Sequence, residues 1–277
     1  MHIADYCRSE TTIGADDLIY APFTIAAYAI YRLFLSQFFL KPLSLLINEK
    51  LRYKFIHRGF DLVHYVCSTI LGTLAFSQRP YFHCPFYFLD CGKYIACTGP
   101  KVVCSHLEKI YFFFFASYYL SDVFWISTTK DIKMLIAHHF VTITMITGCA
   151  LVARPVGGLS IMLLHDWVDI FLYSGKVMNY IGLKLISDIL MVCFAASFIY
   201  LRLFGCLTIL ITICTQQLEQ PHHAKLYFIA RCAFGGLYVC HCIWGYQIFC
   251  ALKRIFFNKD SIHDTRSDKG SDKEKAE

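Results

Sequence analysis

Seven long apolar stretches, separated by short polar breaks, constrain this chain to an all-α polytopic membrane fold. They run Leu18–Leu40, Phe60–Phe76, Lys109–Ile126, Met134–Val152, Gly158–Val177, Ile186–Cys214 and Ala224–Phe249. A bilayer crossing needs about 20 mostly apolar residues, and in lipid only a helix satisfies its own backbone hydrogen bonds. The 277 residues therefore hold six or seven crossings and short loops, with no room for a sizeable soluble domain. Composition agrees: 57% of residues are hydrophobic and only 17% charged, with a mean hydropathy of +0.49. The first two stretches are the weaker ones, since one contains Arg32 and the other is short.

Net charge is +6, yet the basic residues sit in small groups beside apolar stretches rather than in one patch, which argues for membrane topology and against nucleic acid. Lys50, Arg52, Lys54 and Arg58 follow the first stretch, Lys130 and Lys133 the third, Lys176 and Lys184 the fifth, and Lys253, Arg254 and Lys259 the seventh. Every second loop is basic, so those loops and the C-terminus are expected in the cytosol and the N-terminus in the lumen. One loop disagrees: Arg79, Lys93, Lys101 and Lys109 fall on the expected lumenal side. Residues 1–17 are polar and carry no signal-peptide pattern, so the first crossing is expected to act as the targeting signal. From about Asn258 the chain turns polar and is expected to be disordered, with Ser271 before Asp272 and Glu274 as an acidic-directed phosphorylation candidate.

The 14 cysteines are scattered and show no zinc-like CxxC spacing. Cys84, Cys91, Cys97 and Cys104 share one loop and could form disulfides if it is lumenal; small buried hydrophobes describe most of the others.

Ionisable residues inside a bilayer cost roughly 2.5–3.5 kcal/mol each even on the gentler insertion scale, so they mark function. The fourth and fifth stretches hold most of them: His138, His139, His165, Asp166 and Asp169. On a helix, Asp166, Asp169, Tyr173 and Lys176 all fall within about a quarter-turn of His165. On the preceding helix His138 and Thr142 lie one turn apart, with His139 on the adjoining face. The connection around Ala153–Gly157 is short, so the two helices are expected to be antiparallel neighbours with facing stripes. Imidazole beside carboxylate in a water-poor site is an acid–base arrangement, one carboxylate orienting a ring that moves the proton. Three chemistries fit: acyl transfer, a di-iron oxygenase centre and a proton-coupled transporter. The di-iron centre fits least, because the chain offers His138-His139 and His222-His223 without the HxxxH and HxxHH boxes; no metal is expected.

The ordered residues around this cluster carry a further signal. Six residues separate Lys130-Asp131 from His138-His139, with Thr142 after the pair. Then come Arg154-Pro155-Val156-Gly157, Leu164-His165-Asp166 with Asp169, Lys176, and Asn179-Tyr180 with Gly182. This series resembles the signature of the ceramide synthases within the TLC-domain family. The similarity extends from about Lys54 to Ala251, including Arg202 and His241 with Trp244 and Tyr246. An acidic element, Asp264 to Asp268, follows the last stretch as in many members.

The resemblance implies N-acylation of a sphingoid long-chain base by fatty acyl-CoA in the endoplasmic reticulum membrane, with acyl-CoA as co-substrate and no other cofactor. It implies six helices forming a TLC-type barrel around an intramembrane tunnel, with the first helix outside. It divides the chain into a lumenal N-terminus (1–17), a first helix and basic loop (18–53), a TLC domain (54–257) and a cytosolic tail (258–277). His138, His139, His165, Asp166 and Asp169 match the catalytic residues. Lys130, Lys133, Thr142, Arg154 and Arg202 are the candidates for substrate binding, the lysines for CoA phosphates. Partners are the two substrates and membrane lipids, with homo- or hetero-dimerisation left open. Departures exist: Tyr173 stands where the family often has a carboxylate, Trp167 and Val168 replace serines, Gly175 replaces alanine, and the homeobox-like segment of many animal members is not seen. A lipid-sensing or transport relative that keeps the fold without catalysis is the alternative, and the intact catalytic block argues against it.

Overall fold

The computed structural model describes residues 9–77, 79, 82–83, 103–125, 132–151, 155–215 and 224–258. Among these, seven helices dominate: α1 (Ala15–Ser44), α2 (Glu49–Phe76), α3 (His106–Asp122), α4 (Ile132–Leu151), α5 (Pro155–Tyr180), α6 (Lys184–Thr215) and α7 (Ala224–Asn258). They correspond one for one to the seven apolar stretches. Four of them, within Ala15–Ser44, Glu49–Phe76, Lys184–Thr215 and Ala224–Lys253, are long and apolar enough to cross a membrane, and Ile132–Gly148 is a shorter apolar helix. The exposed aromatic and aliphatic side chains of α1, among them Phe23, Ile30, Phe34 and Phe38, form the kind of surface lipid covers.

Local chemistry sets the helix ends. Helix α2 starts eleven residues ahead of the apolar stretch, because the Asn48 side chain accepts from the Lys50 amide at 3.0 Å and Arg58 pairs with Asp61 at 2.9 Å one turn later. The basic run Lys50–Arg58, expected in a loop, is therefore helical. Helix α3 opens on a capping box in which the Glu108 amide donates to Ser105 Oγ at 3.1 Å and the Ser105 amide donates back to Glu108 Oε2. Helix α5 starts at Pro155, whose missing N–H costs nothing in a first turn. Between α5 and α6 the chain turns at Gly182, φ +86°, with the Leu183 amide donating to the Met178 carbonyl at 2.9 Å.

A two-residue strand β1 (Glu10–Thr11) pairs antiparallel with β2 (Cys104–Ser105), placing Glu10 opposite Ser105 and Thr11 opposite Cys104. The start of α1 thereby lies beside the start of α3. Lys109 pairs with Asp17 at 2.5 Å and Arg79 with Glu108 at 2.9 Å. Two of the basic residues that broke the alternating charge pattern are thus neutralised locally. Lys93 and Lys101 lie outside the described residues, as do Cys84, Cys91, Cys97, Ser271 and the rest of the tail from 259 onward; Cys104 is a buried free thiol.

Helix neighbours follow a definite order. Helix α2 lies against α3 and α5, α5 against α6, α6 against α7, α7 against α4, and α4 against α3, while α1 packs on α3. This refines one expectation. Helices α4 and α5 do lie beside each other, to the same extent as α4 and α3, but the most extensive partner of α4 is α7, and those of α5 are α2 and α6. A short connection fixes only the adjoining helix ends, and the remaining turns go where they bury more surface.

Candidate active site

The polar stripe of α5 points into the interior. His165, Asp166 and Asp169 are all buried, as are His138, His139 and Thr142 of α4. They are joined by Arg202 of α6, His241 and Trp244 of α7, Ser68 of α2 and Tyr111 of α3. Helices α2 to α7 therefore all contribute to one buried polar cluster, which the sequence had assigned to two helices facing each other.

The partners differ from those expected. Among the described residues, neither α5 carboxylate takes an imidazole. Asp166 Oδ2 accepts from Ser68 Oγ and from the Tyr111 hydroxyl, each at 2.7 Å, leaving its buried Oδ1 unpartnered among the described residues. Asp169 pairs with Arg202 at 2.6 Å. Arg202, a candidate for substrate binding, also donates to the His165 carbonyl at 3.2 Å, so this buried guanidinium holds α5 to α6. Arg202 lies in a π-helical segment, Phe198–Gly205. The wider turn shifts the phase of the helix, and such segments recur at functional sites.

His165 is oriented by two contacts. Its Nδ1–H donates to the Ile161 carbonyl at 2.7 Å, which leaves Nε2 as the acceptor for a 3.0 Å hydrogen bond from His241 Nε2. Cys206 is close enough that one donor atom from each of His165, Cys206 and His241 falls within 4.8 Å of the others. Two imidazoles and a thiol are a donor set that suits zinc, although the two ring nitrogens here satisfy each other.

His138 has its ring edge-on to Trp244, centroids 4.9 Å apart, and lies 6.5 Å from the rings of both His165 and His241. Its buried Nδ1 has no hydrogen-bond partner among the described residues, and neither does Thr142 Oγ1. His139 donates from Nδ1 to the Leu135 carbonyl at 2.9 Å, and its Nε2 lies 3.3 Å from Oδ2 of Asp122. The carboxylate beside an imidazole is thus Asp122, at the end of α3. Lys133 is exposed on the first turn of α4; Lys130 and Arg154 lie outside the described residues.

His241 and Asp122 were missing from the sequence-based site, though the signal that exposed the others applied to both: each is ionisable and lies in an apolar stretch. Ser68, Tyr111 and Cys206 gave no such signal, since hydroxyls and thiols are ordinary in membrane helices. Tyr173, standing in place of a carboxylate, stacks on Tyr65 at 5.1 Å with Arg58 5.8 Å from its ring. A separate cavity of about 660 Å³ lies between α1 and α3, lined by Tyr20, Tyr28, Tyr31, Lys109, Phe113 and Phe114, with no residue of the buried cluster in its wall.

The chain as a whole is similar to known proteins. It is 27% identical to Ceramide synthase LOH1 of Arabidopsis thaliana over 233 residues, covering 80% of this chain and 74% of that protein. It is 22% identical to Sphingosine N-acyltransferase lag1 of Schizosaccharomyces pombe over 285 residues, 94% of this chain and 70% of that protein. It is 27% identical to Ceramide synthase 4 of Bos taurus over 217 residues, 78% of this chain and 54% of that protein. Residues 54–250, running from the second helix almost to the end of the seventh and holding the whole buried cluster from Ser68 to Trp244, match the TLC domain, and the chain belongs to the TLC-domain family.

Proposed function

We propose that this chain is a ceramide synthase, moving a fatty acyl group from acyl-CoA to the amine of a sphingoid base in the endoplasmic reticulum membrane. The observation that carries the reading is the convergence of His138, His139, His165, Asp166 and Asp169 in one buried polar cluster, in a chain whose relatives bear that activity in their names. Amide formation from a thioester needs a nitrogen base that is not tied up by protein contacts and a site poor in water. His138 offers the first through its unpartnered Nδ1, and the burial of the cluster supports the second.

Two routes use these groups. In one, His138 takes a proton from the sphingoid amine as it attacks the thioester carbon; the N–C bond forms, the C–S bond breaks and the proton leaves with the CoA thiolate. In the other, an imidazole nitrogen first accepts the acyl group, CoA departs, and the amine then displaces the ring. The Asp169–Arg202 and Asp166–Ser68–Tyr111 contacts hold α5 in register with its neighbours, so that His165 keeps its place beside His138. Lys133, exposed five residues ahead of His138 and about 7.5 Å from it along the helix axis, is a cation for the CoA phosphates. The neighbour order α2, α5, α6, α7, α4, α3 returns to its start, with α1 against α3, and this supports a six-helix barrel around an acyl tunnel. The β1–β2 pairing, which sets the N-terminal segment beside the start of α3, supports a common lumenal side for both.

Purified protein incubated with sphinganine and acyl-CoAs of several chain lengths is expected to form the N-acyl product. His138→Ala and His139→Ala should each lower kcat by about 10²–10⁴. No histidine-dependent amide with any acyl chain would overturn the reading. Rapid quench with acyl-CoA alone separates the routes, since only the second accumulates an acylated histidine.

A further inference from the structure

Two polar stripes lead away from the buried cluster. On α2, Lys54, Arg58, Asp61, Tyr65 and Ser68 recur every three or four residues, and so do Asp166, Asp169, Tyr173 and Lys176 on α5, so each set lies on one helix face. The two helices pack antiparallel along these faces. Ser68 Oγ reaches Asp166 at 2.7 Å, the Tyr65 ring stacks on Tyr173 at 5.1 Å, and beyond them Phe55 packs with Val177 and Tyr180. The seam is therefore continuous from the active-site carboxylates to the end of α5.

Charge changes sign along the seam. At the inner end Asp169 is paired with Arg202, and Asp166 is held by Ser68 and Tyr111. At the outer end Arg58 Cζ lies 5.8 Å and Lys176 Nζ 5.9 Å from the centre of the Tyr173 ring, so two cations from different helices converge on one side chain. Asp61 answers part of this charge. It pairs with Arg58 at 2.9 Å and also accepts from the Tyr118 hydroxyl at 3.3 Å, while Lys54 places a further cation one turn before Arg58. Tyr173 and Lys176 are half-buried and the Arg58 side chain is 19% exposed, so an anion entering from the end of the helices can reach them.

We propose that Arg58 and Lys176, converging on Tyr173 at the outer end of the α2–α5 seam, form the anion subsite that receives the diphosphate of the acyl-CoA. The inference rests on the acyl-transfer reading and assigns the far end of its donor substrate. Reach decides the match. Lys176 follows His165 by eleven residues, about 16.5 Å along the helix axis, and the His165 ring lies 6.5 Å from that of His138. The arm of CoA between sulfur and diphosphate has about 13 bonds and spans roughly 14–16 Å at the rise of an extended peptide. A thioester beside His138 therefore sets its diphosphate at the level of Lys176 and Arg58. A guanidinium and an ammonium suit two adjacent phosphates, one as a planar fork and the other as a point charge. CoA carries a third phosphate on its ribose, so Lys133 of α4 and this pair do not compete for one group.

Acyl-pantetheine, which has the same thioester and arm but no diphosphate, provides the test. With sphinganine as acceptor, the wild type should show a kcat/KM about 10²-fold higher for acyl-CoA than for acyl-pantetheine, and acyl-dephospho-CoA, which lacks only the ribose phosphate, should keep most of that advantage. Lys176→Gln should raise the KM for acyl-CoA about tenfold with little change in kcat, and shrink the preference over acyl-pantetheine by the same factor. Arg58→Lys, which keeps a cation beside Asp61, should raise the KM for acyl-CoA by a smaller factor. Calorimetry of CoA binding to the detergent-solubilised full-length protein gives a readout apart from catalysis: Lys176→Gln should weaken the Kd about tenfold. An undiminished preference for acyl-CoA in Lys176→Gln, or equal losses with both donors, overturns the subsite and leaves acyl transfer standing. Lys176-dependent CoA binding in a protein that forms no amide would remove the acyl-transfer reading and leave the subsite.

Discussion

Asp169 and Arg202 illustrate how single residues hold the interior. Removing one partner from a buried pair strands the other charge, which costs about 3–5 kcal/mol. Arg202→Met is therefore expected to lower the melting temperature of the detergent-solubilised protein sharply, whereas Arg202→Met combined with Asp169→Leu should recover much of the loss. A melting temperature unmoved by the single change would show that the 2.6 Å contact carries no stability. At this scale the sequence was informative about which residues are buried and silent about whom they meet. The cost of an ionisable group in lipid exposed His138, His139, His165, Asp166 and Asp169, and applied equally to Arg32, Asp122 and His241. The pairing of Asp169 with Arg202 rather than with a histidine depends on how far α6 approaches α5, which neither helix encodes alone.

Elements meet where side chains allow close approach. A Cβ built on Gly72 of α2 would fall 2.7 Å from the Tyr111 ring of α3 and 2.9 Å from Leu163 of α5. Tyr111 is the residue that donates to Asp166, so the glycine lets three helices converge beside the site. Gly72→Ala is expected to destabilise the protein by about 1–3 kcal/mol through overpacking, and to lower activity by displacing Tyr111. Thermal unfolding and the amide-forming assay read the two effects; wild-type values in both would refute the close approach. Helix existence was legible from the apolar runs. The π segment around Arg202 was not, because a phase shift inside a continuous helix leaves no mark in periodicity. Nor was the closer packing of α4 on α7 than on α5, since loop length restrains helix ends and says little about the opposite ends.

Across the whole molecule, β1 and β2 tie the N-terminal segment to the start of α3, while the turn Leu45–Asn48 lies at the other end of α1. With the proposed lumenal N-terminus, an Asn-x-Ser acceptor inserted ahead of residue 9 should be glycosylated in microsomes, and one inserted between Leu45 and Asn48 should not. The reverse pattern would invert the topology. The chain determined by itself that it would form seven apolar helices, that one cluster of histidines and aspartates would be hidden among them, and which family it resembles. Each of these follows from local rules: hydropathy sets helices, and the cost of charge in lipid singles out polar residues. Only the tertiary structure decided that α4 packs on α7, that His165 meets His241, and that Asp122 with Arg32 stands beside His139. Those pairings arise from contacts between residues distant along the chain, chosen by which helix faces bury the most surface and leave the fewest charges unpaired.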